Sequence, residues 1–290
     1  MPIAVIAFDF DPLLRLGDGL VVRWQTVALA AAIAACLAVA GVIGRRAGSR
    51  PDDLLYIAVG AVPGAVIGGR IGQLVVAPEA FAAGPLSLLD PAIGGLELGL
   101  AVVGGVLSAT YVAMLLGAPV GRWATTLALP LLVALGAGKI SMALGGSGQG
   151  SLLDAAWSTA YLGPGPWGSL APALPSHPSQ LYEGSATLIL ALLLLVSGIG
   201  DGFGARQGRL LLIAVAGWAA IRAVVSTTWR DPVVLGPLPA GGVLAAGIVV
   251  GAAVVLIAIT ERARQARARA SRLDGEDGPS WPDPETRAQF

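Results

Sequence analysis

The 290-residue chain contains one histidine and one cysteine. Cys36 lies in an apolar run, so neither a disulfide framework nor a thiolate metal site can form within the chain, and no metal or other cofactor is expected. Charge is also scarce. Asp, Glu, Lys and Arg make up 12% of the residues, against roughly a quarter in a soluble domain. Eighteen basic residues balance eighteen acidic ones. No basic run with interleaved aromatics occurs outside the carboxyl-terminal tail, so a nucleic-acid partner is not expected. Apolar side chains are abundant, at 55% of the residues, and mean hydropathy is +0.77. Such a chain is an integral membrane protein, and the expected fold is all-α.

A helix needs about 20 apolar residues to cross the hydrocarbon core. Seven stretches qualify, near residues 20–44, 54–77, 93–117, 123–145, 179–200, 209–229 and 238–260. These divide the chain into an outer segment 1–19, a seven-helix domain 20–260 with an outer segment 146–178, and a tail 261–290. The arginines orient the bundle. Arg45, Arg46 and Arg50 fall in one linker, Arg122 in another, Arg206 and Arg209 in a third. The tail adds Arg262, Arg264, Arg267, Arg269, Arg272 and Arg287, while segments 78–92 and 146–178 hold no Lys or Arg. The positive-inside rule then puts the amino terminus outside and the carboxyl terminus in the cytoplasm. The tail reads as a helical extension followed by disorder.

Glycine is ordered in the second span. Gly60, Gly64, Gly68 and Gly72 recur every fourth residue, which leaves one helix face bare for close packing against a neighbour. Gly95 and Gly99 in the third stretch read the same way.

Topology accounts for twelve of the eighteen basic residues. The remainder are Arg15, Arg23, Arg70, Lys139, Arg222 and Arg230. Arg70, Lys139 and Arg222 fall inside spans, where a charge costs at least about 2.5–3.5 kcal/mol and needs a partner or a polar cavity. Each lies roughly 20–25 Å along its helix from the same side, so all three are expected at one depth in the outer half of the membrane. Glu97 at the start of the third span and the run Ser176 to Glu183 at the start of the fifth fall at that level. Arg70–Glu97 and Arg222–Glu183 are candidate ion pairs. An excess of cations there suits a phosphate-bearing ligand, and lipid headgroups supply one.

The run His177-Pro178-Ser179-Gln180-Leu181-Tyr182-Glu183 matches the HPSQLYE signature of the prolipoprotein diacylglyceryl transferase family at every position. Val22-Arg23-Trp24, Asp53-Leu54-Leu55 with Gly68-Gly69-Arg70-Ile71-Gly72, Gly94-Gly95-Leu96, Gly136-Ala137-Gly138-Lys139-Ile140, Ile221-Arg222 and Trp229-Arg230-Asp231-Pro232 resemble further motifs of that family in order. The resemblance runs from about residue 8 to 257. It implies a multi-pass enzyme of the bacterial cytoplasmic membrane that moves the diacylglyceryl group of phosphatidylglycerol onto the lipobox cysteine of preprolipoproteins, releasing glycerol phosphate.

By the same resemblance Lys139 and Arg222 would grip the phosphate, Arg222 as a catalytic residue, while Arg70 and Arg230 hold the surrounding network. Gln180, Tyr182 and Glu183 would shape the pocket. His177, before a proline at a span entrance, is a candidate base, with fixing the loop by hydrogen bonds as the structural alternative. The chain departs from the family pattern at several positions. Gln25 stands at a tyrosine, Lys139 at an arginine, Met142 at an asparagine and Ser147 at a glutamate. A histidine-bearing motif is replaced by Glu97-Leu98-Gly99, and a glutamate of the sixth span is absent. Lysine offers a point charge where arginine offers a bidentate fork. These changes leave open an alternative, a non-catalytic relative that binds anionic phospholipid in the same pocket. A monomer is expected, since the cations can converge within one chain.

Overall fold

The computed structural model describes residues 5–17, 19–82, 84–90, 95–197 and 208–276. Gly94, Arg206, Arg287, the end of the expected fifth span and the tail beyond 276 lie outside the described residues.

Among the described residues seven α-helices carry the fold: α1 (Trp24–Arg46), α2 (Pro51–Val76), α3 (Leu98–Leu115), α4 (Val120–Ser141), α5 (Ser179–Val196), α6 (Arg209–Ser226) and α7 (Ala240–Glu276). Each is long and apolar enough to span a bilayer. The protein is therefore a multi-pass membrane protein, as its composition requires. Boundaries shift where local chemistry overrides hydropathy. Residues 20–23, expected in the first helix, form strand β3 (Leu20–Arg23), which pairs with β2 (Leu13–Leu16) as an antiparallel hairpin. The third helix starts at Leu98 rather than 93, because the Glu97 carboxylate caps it by accepting from the backbone N–H groups of Gly99 and Leu100 at 2.8 and 2.7 Å. Such a cap satisfies amides that would otherwise face the apolar core unpaired. The seventh helix continues sixteen residues past the expected end at 260, to Glu276.

Short strands cover the end of the bundle where α1 begins. β1 (Ile6–Phe8) lies parallel to β4 (Thr159–Tyr161), so the amino-terminal segment is stitched to the 146–178 segment. Phe8 stacks on Tyr161 at 4.9 Å, and Trp167 packs against both Tyr161 and Phe10. β5 (Val233–Leu235) and β6 (Leu238–Pro239) close a second hairpin between α6 and α7. Neither pairing shows as a strand-length apolar alternation in the sequence, and β6 takes the first two residues of the expected seventh span.

Bare glycine faces hold α2 against α3. A Cβ at Gly64 would fall on the Gly104 carbonyl, and one at Gly68 on the Leu100 carbonyl. Ser108 donates a hydrogen bond to the Gly60 carbonyl at 2.5 Å across the same seam. The expected packing role of Gly60, Gly64, Gly68 and Gly72 is thus met. Gly99 differs: it faces Ile248 of α7 and the Glu97 carboxylate, and Gly95 precedes the helix with only the Gln73 side chain at van der Waals distance from where a Cβ would lie. The α2–α3 pair stands apart from α1 and α4, leaving an apolar cleft of about 600 Å³ lined by residues such as Cys36, Leu54, Ala109 and Leu127, with Leu98 at one end. Trp123 and Trp218 anchor the two buried cores.

Replacing Gly68 with valine should force the α2 and α3 backbones apart. A loss of about 1–3 kcal/mol is expected from overpacking, read as a lowered unfolding temperature in detergent, whereas Gly95→Ala should leave that temperature unchanged.

Candidate functional site: a buried ion network beneath a polar cavity

The helices alternate in direction, so α3 and α5 begin at the end of the bundle where α4 and α6 finish. Their dipoles set the local electrostatics. Carboxylates are favoured at the positive amino termini of α3 and α5, and cations at the negative carboxyl termini of α4 and α6. The sequence follows this rule. Glu97 caps α3, Glu183 lies in the second turn of α5, Lys139 is in the last turn of α4, and Arg222 is one turn from the end of α6.

All four side chains meet. Arg222 donates to Glu183 through Nη1 at 3.0 Å and to Glu97 through Nη2 at 3.0 Å. Lys139 Nζ sits 2.9 Å from the other Glu183 oxygen. Arg222 and Glu97 are 5% exposed and Glu183 is 0%. Two cations and two carboxylates cancel, which is the condition for keeping charges away from water at tolerable cost. The guanidinium also lies over the Trp229 ring at 4.7 Å, a cation–π contact. Of the two ion pairs considered from sequence, Arg222–Glu183 forms. Glu97 bonds to Arg222, and Arg70 donates to the Asp90 carbonyl at 2.8 Å.

Above the network lies a cavity of about 190 Å³, lined by Lys139, Gln149, Gln180, Glu183, Trp229 and Arg230, with Gly148 and Asp231. It is smaller than the 300–1,000 Å³ typical of drug-sized ligands, so it fits a headgroup and not acyl chains. Its walls come from α4, α5, the turn after α6 and the 146–150 loop. Gly148 adopts φ of +80°, and a Cβ there would crowd Met142 and Gln180. The loop is held by Arg230, whose Nε donates to the Gly150 carbonyl at 2.6 Å and whose Nη2 donates to the Ser176 hydroxyl at 2.8 Å. Both acceptors are neutral. Among the described residues Arg230 forms no ion pair, whereas Arg222 has both ends of its fork on carboxylates and does not line the cavity.

The sequence-predicted residues therefore separate into groups. Lys139, Gln180, Glu183 and Arg230 line the cavity; Arg222 lies beneath it. Tyr182, His177 and Arg70 do not line it. His177 packs edge-on against Tyr182 at 6.1 Å between ring centres, and its backbone N–H and carbonyl clamp the 150–151 loop. Among the described residues its Nδ1 has no hydrogen-bond partner. Gln149 was missed from sequence, since a lone glutamine in a glycine-rich loop carries no pattern. Tyr161 was missed as well; its hydroxyl accepts from Gln180 Nε2 at 3.0 Å, and burial pushes it up to about 12, so it stays protonated there.

Two departures from the family pattern touch each other. Ser147 donates to the Gln25 Oε1 at 3.2 Å, and Gln25 packs against Gly145. A third, Glu97, supplies Arg222 with its second carboxylate.

A membrane protein with seven long apolar helices among its described residues, and a pocket lined by charges of both signs over a neutral ion network, defines the structural class. The family model described as prolipoprotein diacylglyceryl transferase matches residues 12–258, and the chain belongs to that family. It is 28% identical over 244 residues to a phosphatidylglycerol–prolipoprotein diacylglyceryl transferase of Methylocella silvestris, covering 80% of this chain and 85% of the relative. A protein of the same name from Solidesulfovibrio magneticus is 31% identical over 189 residues, or 60% of this chain and 65% of that one. One from Pseudoalteromonas atlantica is 26% identical over 227 residues, with 77% of each chain covered.

Arg222→Ala should strand two buried carboxylates on Lys139 alone. The expected cost is about 3–5 kcal/mol, seen as a large fall in unfolding temperature in detergent; Arg222→Lys should recover part of it by keeping one contact.

Proposed function

We propose that the chain carries out the reaction named for its relatives, moving the diacylglyceryl group of phosphatidylglycerol onto the lipobox cysteine of a preprolipoprotein. The protein would sit in the bacterial cytoplasmic membrane with the cavity facing outward. Arg45, Arg46, Arg50, Arg122 and Arg209 lie in linkers or helix ends at the opposite end of the bundle, and the positive-inside rule favours that end for the cytoplasm.

The observation that carries the reading is the arrangement of the two voids. A small polar cavity lined by Lys139 and Arg230 lies over the network. Leu98, adjacent to Glu97, marks one end of the long apolar cleft. A phospholipid has this division, an anionic head and apolar tails. Lys139 and Arg230 take the phosphate in this reading. Arg222 is a positioning residue that fixes Glu183, which in turn holds Lys139.

The reaction follows from the charge. The cysteine sulfur, as thiolate, attacks the glycerol carbon bearing the phosphate, and the carbon–oxygen bond breaks. Glycerol phosphate leaves with that electron pair, and the proton lost by the thiol balances the new phosphate monoester charge. Negative charge grows on the leaving oxygens, so cations fixed beside them lower the barrier more than they tighten substrate binding. Family membership favours this reading over the non-catalytic lipid binder.

Purified protein in phosphatidylglycerol proteoliposomes should add one diacylglyceryl group to a lipobox peptide, read by mass spectrometry, with release of glycerol phosphate. Lipid binding without peptide modification would instead establish the non-catalytic alternative. Arg230→Ala should lower kcat/KM by about 10²–10³-fold, the usual loss for one charge-stabilising donor, with Arg230→Lys intermediate. Wild-type turnover in Arg230→Ala would remove that residue from the phosphate site.

A further inference from the structure

Two glutamine side chains beside the cavity hold unsatisfied amides. Gln149 is 8% exposed and Gln180 is 1% exposed, and the Oε1 atom of each has no hydrogen-bond partner. For Gln149 the orientation is forced. Its Nε2 donates to the carbonyls of Thr159 at 3.1 Å and Pro172 at 3.4 Å. Carbonyls only accept, so the nitrogen must face them and the oxygen must face away. Gln180 is engaged on one side by the Tyr161 hydroxyl, which can either donate or accept. Either orientation of that amide therefore leaves one polar atom over. A buried acceptor without a donor is costly, and such groups mark places where a missing partner belongs.

Both residues line the same cavity as Lys139 and Arg230. We infer that Gln149, with Gln180 beside it, reads the hydroxyl groups of a polyol headgroup whose phosphate is held by Lys139 and Arg230. A hydroxyl fits this pair better than any other group. It can donate to the Gln149 oxygen, and it can donate to or accept from Gln180 in whichever orientation that amide takes. The reading rests on the proposed function and assigns headgroup selection to Gln149, which lies outside the motifs that carry the family resemblance. Nothing covalent is asked of either glutamine. They orient the glycerol headgroup so that the phosphate oxygens meet the cations, and they discriminate by leaving a buried amide unpaired when the headgroup lacks hydroxyls.

The test compares two donors with identical acyl chains, phosphatidylglycerol and phosphatidylpropanol, whose three-carbon headgroup lacks both hydroxyls. Wild-type protein in proteoliposomes should use phosphatidylglycerol at least about tenfold better in kcat/KM, the discrimination expected from one unpaired buried acceptor. Equal use of the two lipids would overturn the inference with no variant needed. Gln149→Met should lower turnover of phosphatidylglycerol alone and bring the two donors to near equality. An equal fall for both would overturn it, since that is what loss of the Thr159 and Pro172 tethers by itself would produce. Gln180→Met gives a second measurement of the same ratio should Gln149→Met fail to fold. If no donor supports transfer, the transferase reading fails separately. Competition between the two lipids for binding then decides the headgroup inference by the same ratio.

Discussion

The Glu183 carboxylate is the point on which the site depends. It is fully buried in a helix that crosses the membrane, where a charge is tolerable only with partners in contact. Arg222 Nη1 reaches both of its oxygens, the nearer at 3.0 Å, and Lys139 Nζ meets the second at 2.9 Å. Two cations on one carboxylate would leave a surplus, which Glu97 removes from the far side of Arg222. Four helices are thereby fixed at one end. Removing any one of the four charges leaves the buried network with an uncompensated charge, so the network gains its rigidity from the cost of breaking it. The glycine seam serves the same arrangement. Glu97 caps α3, α3 lies against α2 through Gly64 and Gly68, and a Cβ at Gly72 would displace the Glu97 side chain itself.

What was legible in the sequence followed from one-dimensional signals. Span number came from hydropathy, and the α2 packing face came from glycine at a four-residue interval, because both are properties of a single helix. The common depth of Lys139 and Arg222 was also legible, since a helix converts residue count into distance. Partner choice was not. Glu97 and Arg222 are 125 positions apart, and nothing local distinguishes that pairing from Arg70 with Glu97. Arg70 has a similar position along its helix, but its guanidinium reaches the Asp90 carbonyl. Depth fixes one coordinate; azimuth depends on which face each helix turns inward. The parallel pairing of Ile6–Phe8 with Thr159–Tyr161 was hidden for a related reason, since three-residue strands carry too little periodicity to read.

The departures from the family pattern look different once placed in three dimensions. Read singly, Gln25, Ser147 and Glu97 are losses of a tyrosine, a glutamate and a histidine motif. In the structure Gln25 and Ser147 satisfy each other, and Glu97 carries half of the charge compensation for Arg222. Substitutions that contact one another or complete a buried network are the kind a site can absorb without leaving an unpaired group. The signature segment remains where the helix starts: Pro178 caps α5, and the Ser179 hydroxyl bonds to that of Thr228 at 2.6 Å, tying the start of α5 to the end of α6. The signature thus fixes Glu183 in space before any substrate arrives.

Lysine at position 139 also follows from the network. Arg222 Nη1 already reaches both Glu183 oxygens, at 3.0 and 3.3 Å. A guanidinium fork on the same carboxylate would compete for the same lone pairs. An ammonium needs only one contact there, at 2.9 Å to Oε2, and keeps two N–H donors for the cavity. The buried cation is therefore the one with both Nη groups on carboxylates, and Lys139 at the cavity keeps donors to spare. Arg230 completes this division, because its bonds to the Gly150 carbonyl and the Ser176 hydroxyl hold the loop without cancelling its charge. Arg222 thus belongs to the network alone, Arg230 to the cavity wall alone, and Lys139 to both.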